Sequence, residues 1–142
     1  LTMADKVKSL IGIEIIPQAI QNAKINAEIN GVTNARFICA DAPKGAEILK
    51  KDGIKPDVVI VDPPRKGCDA ALFETVYEMN PKRIVYVSCD SSTLGRDLNI
   101  LESKGYKTKR LCAVDMFPRT PHVEAVALIE KTNNLKGDIY ET

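Results

Sequence analysis

The chain has 142 residues, enough for a domain with a real core. Hydrophobic residues make up 44% and charged residues 27%, which excludes a collagen-like or disordered chain and fits a globular one. The net charge of +1 excludes a protein that holds nucleic acid by charge alone, though not an enzyme that shares that task with another domain.

Strand and helix patterns alternate along the chain. Ser9–Ile16 is apolar and β-rich and predicts a strand. Pro17 suits a helix start, and 18–30 predicts a helix with Ala19, Ile20, Ala23, Ala27 and Ile29 near one face, stopped at Asn30-Gly31. Residues 35–39 form a short strand, 43–51 a helix ended by Asp52-Gly53, and 57–61 (DVVIV) an apolar run that suits a strand buried on both faces. A helix over 70–79, a second buried strand over 83–87 (RIVYV) and a helix over 92–104, stopped by Gly105, follow. Two strands over 106–114 and 123–130 have no helix between them and are expected to pair antiparallel at an edge. The polar segment 132–142 reads as a tail. Strands alternating with helices predict an α/β doubly wound sheet, in which ligands bind beyond the carboxyl ends of the strands.

No run approaches the roughly 20 apolar residues needed to span a bilayer, and no secretion signal opens the chain, so no membrane partner and a cytoplasmic location are expected. Of the four cysteines, Cys39, Cys68, Cys89 and Cys112, none forms a CxxC pair, so no metal and no disulfide are expected. Each cysteine is then judged by its own place. Cys68 and Cys112 read as packing residues. Cys39 ends a strand, but no second reactive feature adjoins it.

The strand ends carry the candidate chemistry. Glu14 closes the first strand, where a carboxylate can accept from both hydroxyls of a ribose; a solvated acid is the competing reading. Asp41 closes the second, and either accepts from an adenine amino group or caps the following helix. Asp62-Pro63-Pro64-Arg65 follows DVVIV, and its two prolines fix a rigid turn that presents Asp62 and peptide carbonyls to a flat ligand. Arg65 and Lys66 add cations suited to phosphate. Ser88-Cys89-Asp90 follows RIVYV, just ahead of a helix whose N-terminal dipole favours a thiolate. Glu124 opens the final strand, and partial burial there suits a general base. His122, the chain's only histidine, is either a substrate contact or a structural hydrogen-bonding group.

Four stretches, GIEIIPQAIQNAKINAEING, DVVIVDPPRKGCD, RIVYVSCDSSTLGRDLNIL and VDMFPRTPHVEAVALIEK, together resemble the RNA 5-methyluridine methyltransferases. The pairing of DPPRKG with SCDSSTLGRDL is the specific part. The resemblance implies the class I methyltransferase fold, S-adenosylmethionine as cofactor and RNA as partner. It implies Cys89 as nucleophile and Glu124 as base, with Glu14, Asp41 and Asp62 around the cofactor; Asp62 also suits orienting the uracil. Arg65 and His122 are the candidate substrate contacts. The look of SCDSSTLGRDL favours ribosomal over transfer RNA.

The family's first strand, its glycine-rich loop and an N-terminal RNA-binding module have no counterpart before Leu1, so the chain is expected to be a catalytic fragment over 1–131, with impaired cofactor binding on its own. Arg119 stands where many relatives carry histidine. Two other classes remain open. An amino-methyltransferase also uses a (D/N)PP turn, but with an aromatic residue where Arg65 stands. An inactive RNA- or partner-binding fragment would leave Cys89 without a role. A thiol-redox enzyme would lack a resolving CxxC.

Overall fold

A computed structural model describes residues 1–120 and 122–132. The chain divides into two compact units, Leu1–Ile54 and a second that begins at Lys55.

In the first unit β1 (Leu10–Glu14) pairs in parallel with β2 (Ala35–Cys39), from Leu10 opposite Ala35 to Glu14 opposite Cys39. Helix α1 (Pro17–Ile29) joins them, with Pro17 in its first turn, where the missing N–H costs nothing. It buries Ile20 and Ala27, while Ala19 and Ala23 are half-buried. Ile29, expected on that face, is 75% exposed: two residues beyond Ala27 it is turned about 200° round the helix, onto the side that carries the exposed Ile25. Gly31, at φ +63°, turns the chain out of the helix. Helix α2 (Ala42–Lys51) follows β2 and buries Gly45, Ala46 and Leu49.

In the second unit the strands β3 (Val58–Val61), β4 (Arg83–Ser88), β5 (Tyr106–Val114) and β6 (Glu124–Lys131) form one sheet in the order β3-β4-β6-β5. Helices α3 (Ala70–Met79) and α4 (Ser91–Ser103) connect its earlier strands. β3 and β4 are parallel; β6 lies antiparallel between β4 and β5. The expected antiparallel ending is present, and it is more than an edge hairpin, because the last strand is inserted into the sheet. Interior position explains its burial: Ala127 and Ile129 of β6 are fully buried, opposite Tyr86 and Ile84 of β4. Phe73, Val76, Leu94 and Leu101 bring the two helices onto the same core.

β3 departs from expectation. DVVIV reads as buried on both faces, yet Val58 and Ile60 are 45% and 47% exposed. Among the described residues the strand has one partner, β4, and the face carrying Val59 and Val61 is the better covered one. The polar tail expected over 132–142 lies outside the described residues except for Thr132, whose N–H donates to the Gly105 carbonyl at 2.9 Å. Among the described residues no helix is long and apolar enough to cross a membrane.

Candidate active site

In the first unit Glu14 and Asp41 stand at the same carboxyl edge of a two-stranded parallel sheet. Glu14 ends β1, and Asp41 follows β2 by two residues. Both are exposed. Glu14 Oε1 accepts the Ile16 N–H at 2.9 Å, so one oxygen shapes its own turn. Asp41 Oδ1 accepts the Lys44 N–H at 2.8 Å as the N-cap of α2. The capping role weighed for Asp41 is therefore real, and it uses one of two carboxylate oxygens.

In the second unit the remaining candidates converge on one end of the sheet. Asp62 follows β3 and is exposed; Cys89 follows β4 and is half-buried; Glu124 opens β6 and is half-buried. Ser88, the last residue of β4, pairs with Ala125 in the last step of the β4–β6 ladder, so Cys89 and Glu124 each stand one residue from that pair, at the same end of the two strands. The two residues, 35 apart in sequence, are thus brought to the same end of neighbouring strands by the insertion of β6 beside β4.

The turn after Cys89 is ordered by Asp90. Its Oδ1 accepts the backbone N–H groups of Ser92 and Thr93 at 3.0 and 3.1 Å and the Ser92 hydroxyl at 2.6 Å. The Ser92 hydroxyl, with those amides, holds the Asp90 carboxyl below the usual carboxylate range. The helix-terminal donors expected to favour a Cys89 thiolate are therefore taken by Asp90. Ser88 completes the turn: its hydroxyl donates to the Asp90 carbonyl at 2.8 Å and accepts the Asp90 N–H at 3.1 Å.

Arg65 sits at the tip of a β-turn closed by the Gly67 N–H donating to the Pro64 carbonyl at 2.8 Å. Its Nη2 donates to Nδ1 of His122 at 3.1 Å. A guanidinium only donates, so the imidazole must accept there through an unprotonated nitrogen. β4 lies between β3 and β6 in the sheet, so this contact joins the loop after β3 to the segment that leads into β6, two strands away. The two candidate substrate contacts are hence a contacting pair.

One group of residues was not singled out from sequence. Asp97, in the middle of α4, is 0% exposed. Its Oδ2 accepts the Tyr86 hydroxyl at 2.5 Å and the Cys68 N–H at 2.8 Å, while Oδ1 meets Nε and Nη2 of Arg96 at 2.8 and 2.7 Å. Arg96 Nη2 also donates to the Lys66 carbonyl at 2.9 Å. Burial pushes the Cys68 thiol up to about 11. Burial and then the Asp97 carboxylate raise Tyr86 as well. Cys68 is the packing residue expected, and its backbone is also one leg of this network. The available sequence signal was the position of Arg96-Asp97 inside the SCDSSTLGRDL stretch.

Comparison with known proteins places this geometry. The chain is 55% identical, over 127 residues, to an uncharacterized RNA methyltransferase of Oceanobacillus iheyensis, covering 89% of this chain and 28% of that protein. It is 49% identical to an uncharacterized RNA methyltransferase of Clostridium acetobutylicum over 133 residues, 94% of this chain and 29% of the relative. The chain thus spans under a third of the length of the curated relatives it matches. Among solved structures, the Pyrococcus abyssi tRNA (uracil-54, C5)-methyltransferase, in complex with S-adenosyl-L-homocysteine, superposes with a TM-score of 0.76 at 38% identity, over 89% of this chain and 30% of that one. NSun6 from Pyrococcus horikoshii superposes at 0.68 with 16% identity, over 89% and 42% of the two chains, a likeness of fold alone. The expected class I methyltransferase fold is the one observed. The family described as tRNA (Uracil-5-)-methyltransferase matches residues 1–132, nearly the whole described chain and every candidate residue discussed above, and the chain belongs to that family.

Proposed function

We propose that the protein of which this chain forms the matched part methylates C5 of a uridine in RNA, using S-adenosylmethionine. The observation that carries the reading is the placement of Cys89 and Glu124 next to the Ser88–Ala125 pair that ends the β4–β6 ladder. Uracil C5 is too weak a nucleophile to take a methyl group unaided. Addition of the Cys89 thiolate to C6 forms an S–C6 bond and an enolate whose C5 is nucleophilic. Once C5 has taken the methyl group, Glu124 removes the C5 proton, the C5–C6 double bond re-forms and the Cys89 thiolate leaves. A nucleophile and a base acting on adjacent ring atoms must stand close together, and the shared end of β4 and β6 supports that reading.

Bound S-adenosylmethionine would supply an electrophilic methyl group. The exposed carboxylates at the strand ends of the first unit suit such a ligand, because each has one oxygen engaged locally and a second able to accept. Glu14 is proposed for the ribose hydroxyls and Asp41 for the adenine amino group. In the second unit Asp62 is proposed to orient the uracil, and the Arg65–His122 pair to meet the RNA backbone. The target base leaves its stack to reach the thiol. The Pyrococcus relative points to transfer RNA, while the SCDSSTLGRDL stretch favours ribosomal RNA.

The test is capture of 5-fluorouridine RNA in the presence of S-adenosylmethionine, read by intact mass, since fluorine at C5 cannot be removed as a proton. It is run on this chain and on the Oceanobacillus relative carrying this chain in place of its matching segment, with ribosomal and transfer RNA in separate arms. A covalent adduct that disappears in Cys89→Ala is expected. With ordinary uridine RNA, Glu124→Gln should accumulate the methylated adduct, because the C5 proton stays in place. An adduct that survives Cys89→Ala, or none on either RNA, overturns the assignment.

A further inference from the structure

We propose that Asp97 is a positioning residue, whose buried carboxylate fixes the turn that carries Arg65 and so sets the Arg65–His122 contact. Arg65 is at an exposed turn tip, and a long side chain there loses rotamer freedom when it is held in one geometry. Something must fix the turn for Arg65 to keep a single partner. On its N-terminal side the turn is stiffened by Pro63 and Pro64. On its C-terminal side α4 clamps it: Arg96 holds the Lys66 carbonyl, and Asp97 holds the Cys68 amide.

Gly67 lies between those two contacts at φ +81°, and a Cβ there would overlap Arg96 Nη2 and stand 2.6 Å from Asp97 Oδ2. The turn therefore rests directly on the Asp97–Arg96 pair, with no room for a side chain. Tyr86 of β4, fully buried, holds the same Asp97 oxygen from below the turn. One carboxylate thus ties together the loop after β3, an interior strand and the helix that follows Cys89. A carboxylate with four charge-assisted or backbone contacts has one orientation available, which is what a positioning group requires. The consequence for RNA, that Arg65 is presented ready for a phosphate, rests on the function proposed above; the positional claim does not.

The experiment uses the fact that His122 is the only histidine, so its ring nitrogens give one pair of signals in 15N-histidine-labelled protein without assignment. The RNA-free chain is measured, so the outcome is independent of whether any adduct forms. Arg65→Ala should displace the His122 Nδ1 signal by removing its donor. Asp97→Asn should displace it in the same direction by at least half as much, and the double variant should sit where Arg65→Ala alone does. Leu101→Ala, a core truncation on α4 away from the turn, should leave the signal in place. A folded Asp97→Asn protein with the wild-type signal, or a double variant displaced by the sum of the two singles, overturns the proposal. Should Asp97→Asn fail to fold, Arg96→Gln takes its place, because the Arg96 side chain is half-exposed and its loss frees the Lys66 carbonyl and Asp97 Oδ1 while Asp97 Oδ2 keeps the Cys68 amide. A smaller displacement in the same direction is then expected, and an unmoved signal refutes the idea.

Discussion

Gly67→Ala tests the clamp through stability, and Gly105→Ala is its internal control. Both glycines belong to the second unit and have nearly the same backbone conformation, φ +81° and +84°. An L-residue in that region costs about 1–2 kcal/mol, and the change in unfolded-chain entropy is the same for the two substitutions. At Gly105 the nearest atom to a new Cβ is Thr132 Oγ1 at 3.9 Å, an ordinary contact, so backbone strain is the whole effect. At Gly67 the new methyl would displace Arg96 and press on Asp97, which cannot retreat into solvent. Relief requires breaking at least one hydrogen bond to the carboxylate, which costs a further ~1.5–3 kcal/mol. Gly67→Ala should therefore destabilise the unit by about 2 kcal/mol more than Gly105→Ala, equivalent to a melting-temperature difference of roughly 8–16 °C for a small domain. Urea unfolding followed by tyrosine fluorescence is the suitable assay. There is no tryptophan, and all four tyrosines lie beyond Lys55, so the signal reports the second unit alone. Equal midpoints and slopes for the two variants would show that the turn does not rest on Asp97.

Two further outcomes follow from the titrating groups. The folded Cys68 thiol titrates at about 11 against 9.0 when unperturbed, so between those values the unfolded chain loses a proton that the folded chain keeps. Stability should fall as pH rises through that window, and Cys68→Ala should flatten the early part of the fall, while Tyr86, also raised, adds to the loss above pH 10; urea midpoints at pH 8, 9.5 and 10.5 decide it, and parallel pH curves for the two proteins would be the contrary result. Asp90 has the opposite sign: its folded carboxyl titrates below 3.8, so its contribution is complete above that value and is lost as pH falls through the lower one. Wild type and Asp90→Asn should differ in helix content and urea midpoint at pH 6, and the gap should narrow as pH falls below 3.8, whereas a gap that stays constant throughout the acid range would mean that the cap does not act through charge.

Much of the fold is written in local pattern. The bounds of β2, α3 and β5 are those the sequence predicts, because a helix pattern that changes to β-branched runs, punctuated by glycine, identifies each element from its own residues. The turns at Gly31, Gly53 and Gly105 are legible for the same reason: each has the positive φ that a helix exit favours. What fails is anything that depends on a neighbour. DVVIV is apolar throughout, and four such residues carry no record of which face is covered; the exposure of Val58 and Ile60 is a property of the sheet. Ile29 fails for another reason: helical spacing itself turns it away from Ile20 and Ala27, onto the side of Ile25.

The candidate site divides along the same line. Cys89, Asp62 and Glu124 are legible singly, because a reactive residue type at a strand terminus of an α/β sheet stands where ligands bind. Their relation is not, because it depends on β6 entering between β4 and β5, a choice made by non-local pairing. Asp97 is the extreme case. Aspartate in mid-helix reads as a solvated face, and its partners lie 11 and 29 residues away on a strand and a loop. Burying a carboxylate is unfavourable unless every lone pair finds a donor, so a fully buried aspartate is itself a sign of constraint. Here the constraint falls on the backbone beside Arg65 rather than on the reacting groups. Geometry at the rim is thus held from inside the unit, by residues that only their place in the SCDSSTLGRDL stretch brings to notice in the sequence.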